Sequence, residues 1–307
     1  MGFVLTAAAL LMWHSLWVAL AAASWGTWSL FLRPAGLPAS ATGPVVFATM
    51  ALCGLPLCLR LPRANWKRRT VALLVGNSLC DAVNVLCFFA AMEQGHVAVA
   101  VLTHYLAPVL VALAAPWLGQ RKIKAVVPAA CVALLGLVLV LAPWQSSARP
   151  GMWRAALLGT ASAFCYAGNV FFVGSLSAQI GAVRAMVYHS ALAALVLLPF
   201  GVHTYAQLAT PRIGWVIIAA AMIGAGSGIV FIRGLAHIGA AQAAVLTYME
   251  PLVAVTLGAV VWREPLPASA ALGMALVLGA GVYSVWPRKA RTQIDAGTPD
   301  AVNLNSQ

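Results

Sequence analysis

Residues 88–108 read FFAAMEQGHVAVAVLTHYLAP and residues 231–251 read FIRGLAHIGAAQAAVLTYMEP; the two stretches align without a gap at a shift of 143 positions. Phe88 falls on Phe231, Ala98 on Ala241, Ala100 on Ala243, Tyr105 on Tyr248 and Pro108 on Pro251. The same shift goes on to pair Ala125 with Ala268, Leu135 with Leu278 and Gly136 with Gly279. Each stretch leaves one apolar segment, passes a short loop and enters the next, so the chain is expected to be two copies of one unit. How many membrane-sized segments each copy holds decides the fold.

Of the 307 residues, 63% are apolar and 8% charged, with a mean hydropathy of +0.93, whereas a soluble chain carries about 25% charge. A water-soluble fold is excluded. A helix spanning a bilayer takes roughly 20 apolar residues, and the breaks where Gly, Pro and charge cluster leave ten such segments. They lie near 10–32, 41–61, 70–92, 97–118, 125–142, 155–177, 184–202, 212–236, 240–262 and 268–286. Five spans per copy is an odd number, so the second copy enters the membrane from the opposite face. The expectation is an all-α integral membrane protein of ten transmembrane helices arranged as two inverted five-helix repeats, residues 1–142 and 155–286. Residues 287–307 are polar and read as a disordered cytoplasmic tail. Inverted repeats are characteristic of secondary transporters, whose site lies near the midplane between the copies.

The net charge of +12 comes from 18 Lys and Arg against 6 Asp and Glu. These cations sit in short loops, not in a groove with stacking aromatics, so nucleic acid is not an expected partner. Because Lys and Arg favour cytoplasmic loops, the crowding of Arg60, Arg63, Lys67, Arg68 and Arg69 in one loop and Arg121, Lys122 and Lys124 in another orients the chain. Both termini are placed in the cytoplasm. The lack of an N-x-Ser/Thr sequon fits a bacterial inner membrane as the plasma membrane concerned. All six cysteines fall in apolar spans without a CxxC pair and read as small buried residues, neither disulfides nor metal ligands.

An ionisable group at the bilayer centre costs on the order of 2.5 to 3.5 kcal/mol on insertion scales, so it faces a cavity or a partner. Asp81 and Glu250 fall near the middle of their spans and are the candidate proton-coupling groups. Asn77, Asp81 and Asn84 share one face of the third span, either lining a cavity or hydrogen-bonding a neighbouring helix. Pro108 and Pro251 break spans four and nine at matching points, and Pro251 is expected to leave the carbonyl of Thr247 free. Paired breaks of this kind point to a substrate site; His104, Tyr105, Tyr248 and Glu250 stand beside them. Trp25 and Tyr166 supply apolar walls near mid-span, as a pocket for an amphipathic solute requires. The run from Gly224 to Gly228 lies inside a span and reads as close helix packing.

Three further features carry a resemblance. Trp25-Gly26, the Tyr-Met-Glu-Pro run 248–251, and Trp262-Arg-Glu-Pro-Leu followed by the Gly-rich 276–281 are similar to elements of the drug/metabolite transporter superfamily, in its ten-helix EamA branch. The first copy departs from the pattern, with Ala107 where Glu250 has its counterpart and Arg121 opposite Glu264. The resemblance implies a carrier of amino acids or other small metabolites, with YddG-type amino-acid exporters as analogues, and a cavity lined by spans one, three, four, six, eight and nine.

The expected function is therefore secondary transport of a small amphipathic metabolite by alternating access, with efflux favoured over uptake or exchange of a phosphorylated or nucleotide-linked solute. An intramembrane enzyme would need a nucleophile, base and metal or oxyanion device in mutual reach. No HExxH, GxSxG or GxxxxGK[ST] run occurs, so no catalytic residue, metal or cofactor is assigned. The expected partners are the solute and the lipid bilayer, with no obligatory protein partner and a monomer sufficient.

Overall fold

The computed structural model describes residues 2–94, 97–120, 123–145 and 150–286, with backbone alone for residues 2–8. The expected tail, 287–307, lies outside the described residues, as do Arg121 and Lys122. The described residues form helices and contain no strand. Helix α1 (Gly2–Trp25) continues through a tight turn, Gly26–Trp28, into Ser29–Ala35. After it come α2 (Ala39–Leu59), α3 (Arg68–Glu93), and α4 in two halves, Val97–His104 and Ala107–Ala114. The chain goes on as α5 (Val126–Leu141), α6 (Met152–Ile180), α7 (Ala182–Leu197) and α8 (Ile213–Ile238). It closes with α9, again in two halves, Ala240–Leu246 and Met249–Trp262, and α10 (Ala270–Val285).

Among the described residues nine helical stretches are long and apolar enough to cross a membrane, and they coincide with the first nine segments read from the sequence. The tenth, α10, is an apolar helix of 16 residues. At 1.5 Å per residue it is about 24 Å long, short of the hydrocarbon thickness of about 30 Å. The chain is thus a multi-pass helical membrane protein.

Each helix is chosen by apolar content more than by capping, since the N-cap residues of these helices make no side-chain cap hydrogen bond. Glycine does the punctuation. Gly181 joins α6 to α7 and Gly239 joins α8 to α9, each as a single residue with φ 83° and ψ near 155–159°. That region is essentially closed to side chains.

Helix neighbours come in matched sets. α3 lies on α6 and α8 lies on α1; α4 meets α6 and α9 meets α1; α2 pairs with α7 and α5 with α10. Exchanging the first five helices for the last five maps this contact scheme onto itself. Without water between them, helices in a bilayer associate through close van der Waals packing at small residues. Gly136 and Gly273 are where α5 and α10 touch: a Cβ on either would meet the other's carbonyl oxygen. Gly224 and Gly228 of α8 receive the side chains of Met50 and Met186, so that run does pack helices together. It also does something the sequence left unannounced, because Ala220–Gly226 is wound as a π-helical turn, a local widening that often marks functional helices.

The cysteine expectation needs a correction. All six are free, but only Cys58 is buried, whereas Cys53 and Cys131 are exposed on the outer surface of the bundle. An apolar thiol facing lipid costs nothing, so burial in protein was not required.

Candidate functional site

The site begins at two interruptions. Helix α4 breaks at Tyr105 and Leu106 and α9 at Thr247 and Tyr248, in each case shortly before the proline that restarts the helix. Pro251 cannot donate to the carbonyl of Thr247, but that carbonyl is not left free as expected: the Glu250 amide donates to it at 3.0 Å in a tighter turn. The Tyr105 carbonyl, at the other break, accepts a hydrogen bond of 2.8 Å from the Tyr248 phenol. The two tyrosine rings lie 5.8 Å apart. Irregular backbone at this depth is tolerated when protein surrounds it in this way.

The Glu250 carboxylate lies beside the phenol of Tyr105. Glu250 lies deep in the protein yet keeps accessible surface, and the same holds for Tyr166. Tyr166 lies near Glu250, Thr247 and Asp81. Trp25 packs its ring 4.9 Å from Phe231. Its neighbour Gly26 brings α1 onto the α9 backbone, where a Cβ would collide with the Glu250 carbonyl.

The polar stripe of α3 divides into three parts. Asn84 accepts from the Ser162 hydroxyl at 2.7 Å, and His104 Nδ1 lies 2.7 Å from the same hydroxyl. Ser162 has a single proton, given to Asn84, so His104 must donate through Nδ1. Phe88, Tyr105 and Tyr166 ring the imidazole, with centroids 4.5 to 5.4 Å away. Asp81 is paired with His189 of α7, Oδ2 to Nε2, at 3.1 Å. Asn77 is fully buried, and both polar atoms of its amide lack a protein partner. An unmet amide at that depth costs about 1–3 kcal/mol unless water or a solute meets it.

The sequence-selected residues thus fall into two linked groups. Tyr105, Tyr166, Tyr248 and Glu250 gather at the paired breaks with Trp25 nearby, while Asn84 and His104 join through Ser162. Asp81 bonds a neighbouring helix, and Tyr166 connects it to the first group; Asn77 stays apart from both networks. Sequence reasoning missed His189 and Ser162. His189 carried a legible signal, being an ionisable residue inside an apolar span; Ser162 carried none, because serine is common in such helices. Among the described residues no group of three or more His, Cys, Asp or Glu is placed to hold a metal.

Comparison with known proteins finds relatives among transporters. The profile of the EamA-like transporter family matches residues 153–286. An uncharacterized transporter of Archaeoglobus fulgidus is 29% identical over 277 residues, covering 88% of this chain and 94% of its own length. The pseudopaline exporter CntI of Pseudomonas aeruginosa PAO1 is 27% identical over 248 residues, covering 79% of this chain and 86% of its own. A solved crystal structure, 20% identical, superposes with a TM-score of 0.73 over 89% of this chain and 98% of that one, which supports the fold. With its helical membrane fold and the profile match over the second five helices, the chain is similar to the EamA-like transporters.

Proposed function

We propose that the protein is a secondary carrier that moves a small amphipathic metabolite, an amino acid or similar solute, outward across the plasma membrane by alternating access. The observation that carries this is the half-buried acid Glu250, set beside Tyr105 and Tyr166 where α4 and α9 are both interrupted. A zwitterion needs a few polar contacts between apolar walls. Glu250, Tyr105 and Asp81 supply the former, and Trp25, Tyr166 and Phe88 the latter. The matched contacts of the two five-helix halves support an inverted repeat, whose two packings a solute can bias only by binding them unequally. The relative named as an exporter favours efflux as the direction. Phosphorylated solutes are disfavoured, since among the described residues no Lys or Arg joins these contacts.

The test is counterflow in proteoliposomes loaded with a panel of unlabelled amino acids and offered each in labelled form. Saturable uptake of at least one labelled solute, abolished in Glu250→Ala with insertion unchanged, is expected. A flux that is linear in concentration for every solute would make the protein a channel or remove it from this class.

A further inference from the structure

His189 is an ionisable residue inside an apolar span, and its two nitrogens fix where a proton must be. Nδ1 lies 2.9 Å from the Ala185 carbonyl, which can only accept, so Nδ1 carries hydrogen. Nε2 faces the Asp81 carboxyl oxygen at 3.1 Å. That contact is a hydrogen bond only if one further proton lies between the two atoms. It either completes an imidazolium beside a carboxylate or sits on a carboxylic acid beside a neutral ring. In both forms the pair is neutral overall, as its setting demands, with the side chains 16% and 6% exposed.

We propose that Asp81 and His189 form a one-proton latch between the two halves of the protein, closed when loaded and released when the proton leaves. Asp81 belongs to α3 in the first five helices and His189 to α7 in the second, so the bond crosses the boundary that alternating access must move. Loss of the shared proton to water breaks the Nε2 to Oδ2 bond and leaves a carboxylate facing a ring lone pair, with Nδ1 still protonated. A buried net charge of this kind drives its partners apart or toward water. Asn77, one helical turn from Asp81, has an amide without a protein partner. At one end of the same α3 and α7 seam lies a cavity of about 190 Å³ lined by Leu86, Phe89, Glu93, Leu197 and Phe200 among others. Its empty space leaves the two helix ends room to shift against each other.

The other titratable groups near the latch are weaker candidates. Cys80 adjoins Asp81 on α3, with Cys165 of α6 and Cys87 of α3 next to it. Tyr166 of α6 lies near Asp81 and Glu250. On α7, Tyr188 is next to His189 and is turned to Cys58 of α2 and Arg184. The edge of Phe47, from α2, closes the remaining side of the imidazole. Among the described residues no Lys or Arg pairs with Asp81.

The assignment rests on the carrier reading, yet its test needs no solute. Nitroxides are placed at Glu93→Cys and Phe200→Cys, both exposed positions on the seam, in a background without the six native cysteines, and the distance between them is measured in nanodiscs across a range of pH. With the native pair, a longer distance is expected to grow in as pH rises. Asp81→Asn, whose amide can donate to Nε2 without a titrating proton, should keep the short distance at every pH. His189→Gln should also lose the pH response. A native distribution that ignores pH, or an Asp81→Asn protein that responds as the native one does, would overturn the latch. Amino-acid counterflow in the same background separates the two ideas: counterflow with a pH-blind seam sinks the latch alone, and a responsive seam with no counterflow for any solute sinks the carrier reading alone.

Discussion

The phenol of Tyr248 donates to the main-chain carbonyl of Tyr105 at 2.8 Å, and the two residues are 143 positions apart. That separation is the shift at which the two copies align, so each tyrosine meets its own counterpart. The bond is one-sided, because a side chain from one copy reaches the backbone of the other. Tyr248→Phe should therefore lower stability by about 0.5–1.5 kcal/mol, and toward the lower end if membrane hydrogen bonds behave as those measured elsewhere. Tyr105→Phe keeps its carbonyl and should leave this bond intact. Thermal unfolding in detergent of both variants is the comparison; equal losses would mean that the bond does not contribute.

The phenol of Tyr105 lies beside Glu250 instead. Tyr105→Phe should then weaken solute binding while folding is preserved, and Glu250→Gln, of the same shape without the charge, should cut counterflow by tenfold or more, since a charge-assisted contact is worth about 1.5–3 kcal/mol. The two changes together should cost less than the sum of each alone, because they share one interaction. Additive losses would place the two side chains in separate roles.

How much of this was legible beforehand depends on the kind of signal. Hydropathy located the spans because a bilayer demands a fixed length of apolar helix, and the prolines located the breaks because they cannot donate. The π-helical turn at Ala220–Gly226 left no mark, since its Ala and Gly residues suit an ordinary helix equally well. Asp81 could be chosen from its own chemistry, but its pairing with His189 could not. His189 is 108 residues away, and only the meeting of α3 with α7 brings them together. Nor does equivalence in the repeat mean equal surroundings: Gly136 and Gly279 are counterparts, yet Gly136 packs on Gly273 and Gly279 stands in open space.

That discrepancy makes a test. A Cβ at Gly136 would sit 2.6 Å from the Gly273 carbonyl and 3.0 Å from Val277, while one at Gly279 meets nothing within 4 Å. Backbone against backbone has no rotamer to yield, so Gly136→Ala should force α5 from α10 and cost about 1–3 kcal/mol. Gly279→Ala should fall within about 1 kcal/mol of neutral, on the stabilising side, from helix propensity. Unfolding midpoints that rank the two the other way would show that α5 and α10 do not meet through these glycines.

Arg33, at the end of the first span, forms an ion pair with Glu264, just past α9, at 2.6 Å and lies 5.1 Å over the ring of Trp262. Gly258 makes room for the Glu264 carboxylate, which a Cβ there would crowd at 2.5 Å. Both charges are about half exposed, at 47% and 50%, so the pair contributes no more than about 1 kcal/mol to stability. Its place matters more than its strength, because it ties α1 to α9 beyond the Gly26 contact, at one mouth of the bundle. Arg33→Glu and Glu264→Arg should each loosen that mouth by setting like charges together, and their combination should restore the contact. Alkylation of a cysteine placed at Trp25, followed with a membrane-impermeant reagent, reads the opening directly. It should quicken in each single variant, return toward the parent rate in the double variant, and differ less among all of them at high salt, where half-exposed charges are screened. Equal rates in all four proteins would mean that α1 and α9 are held together without this pair.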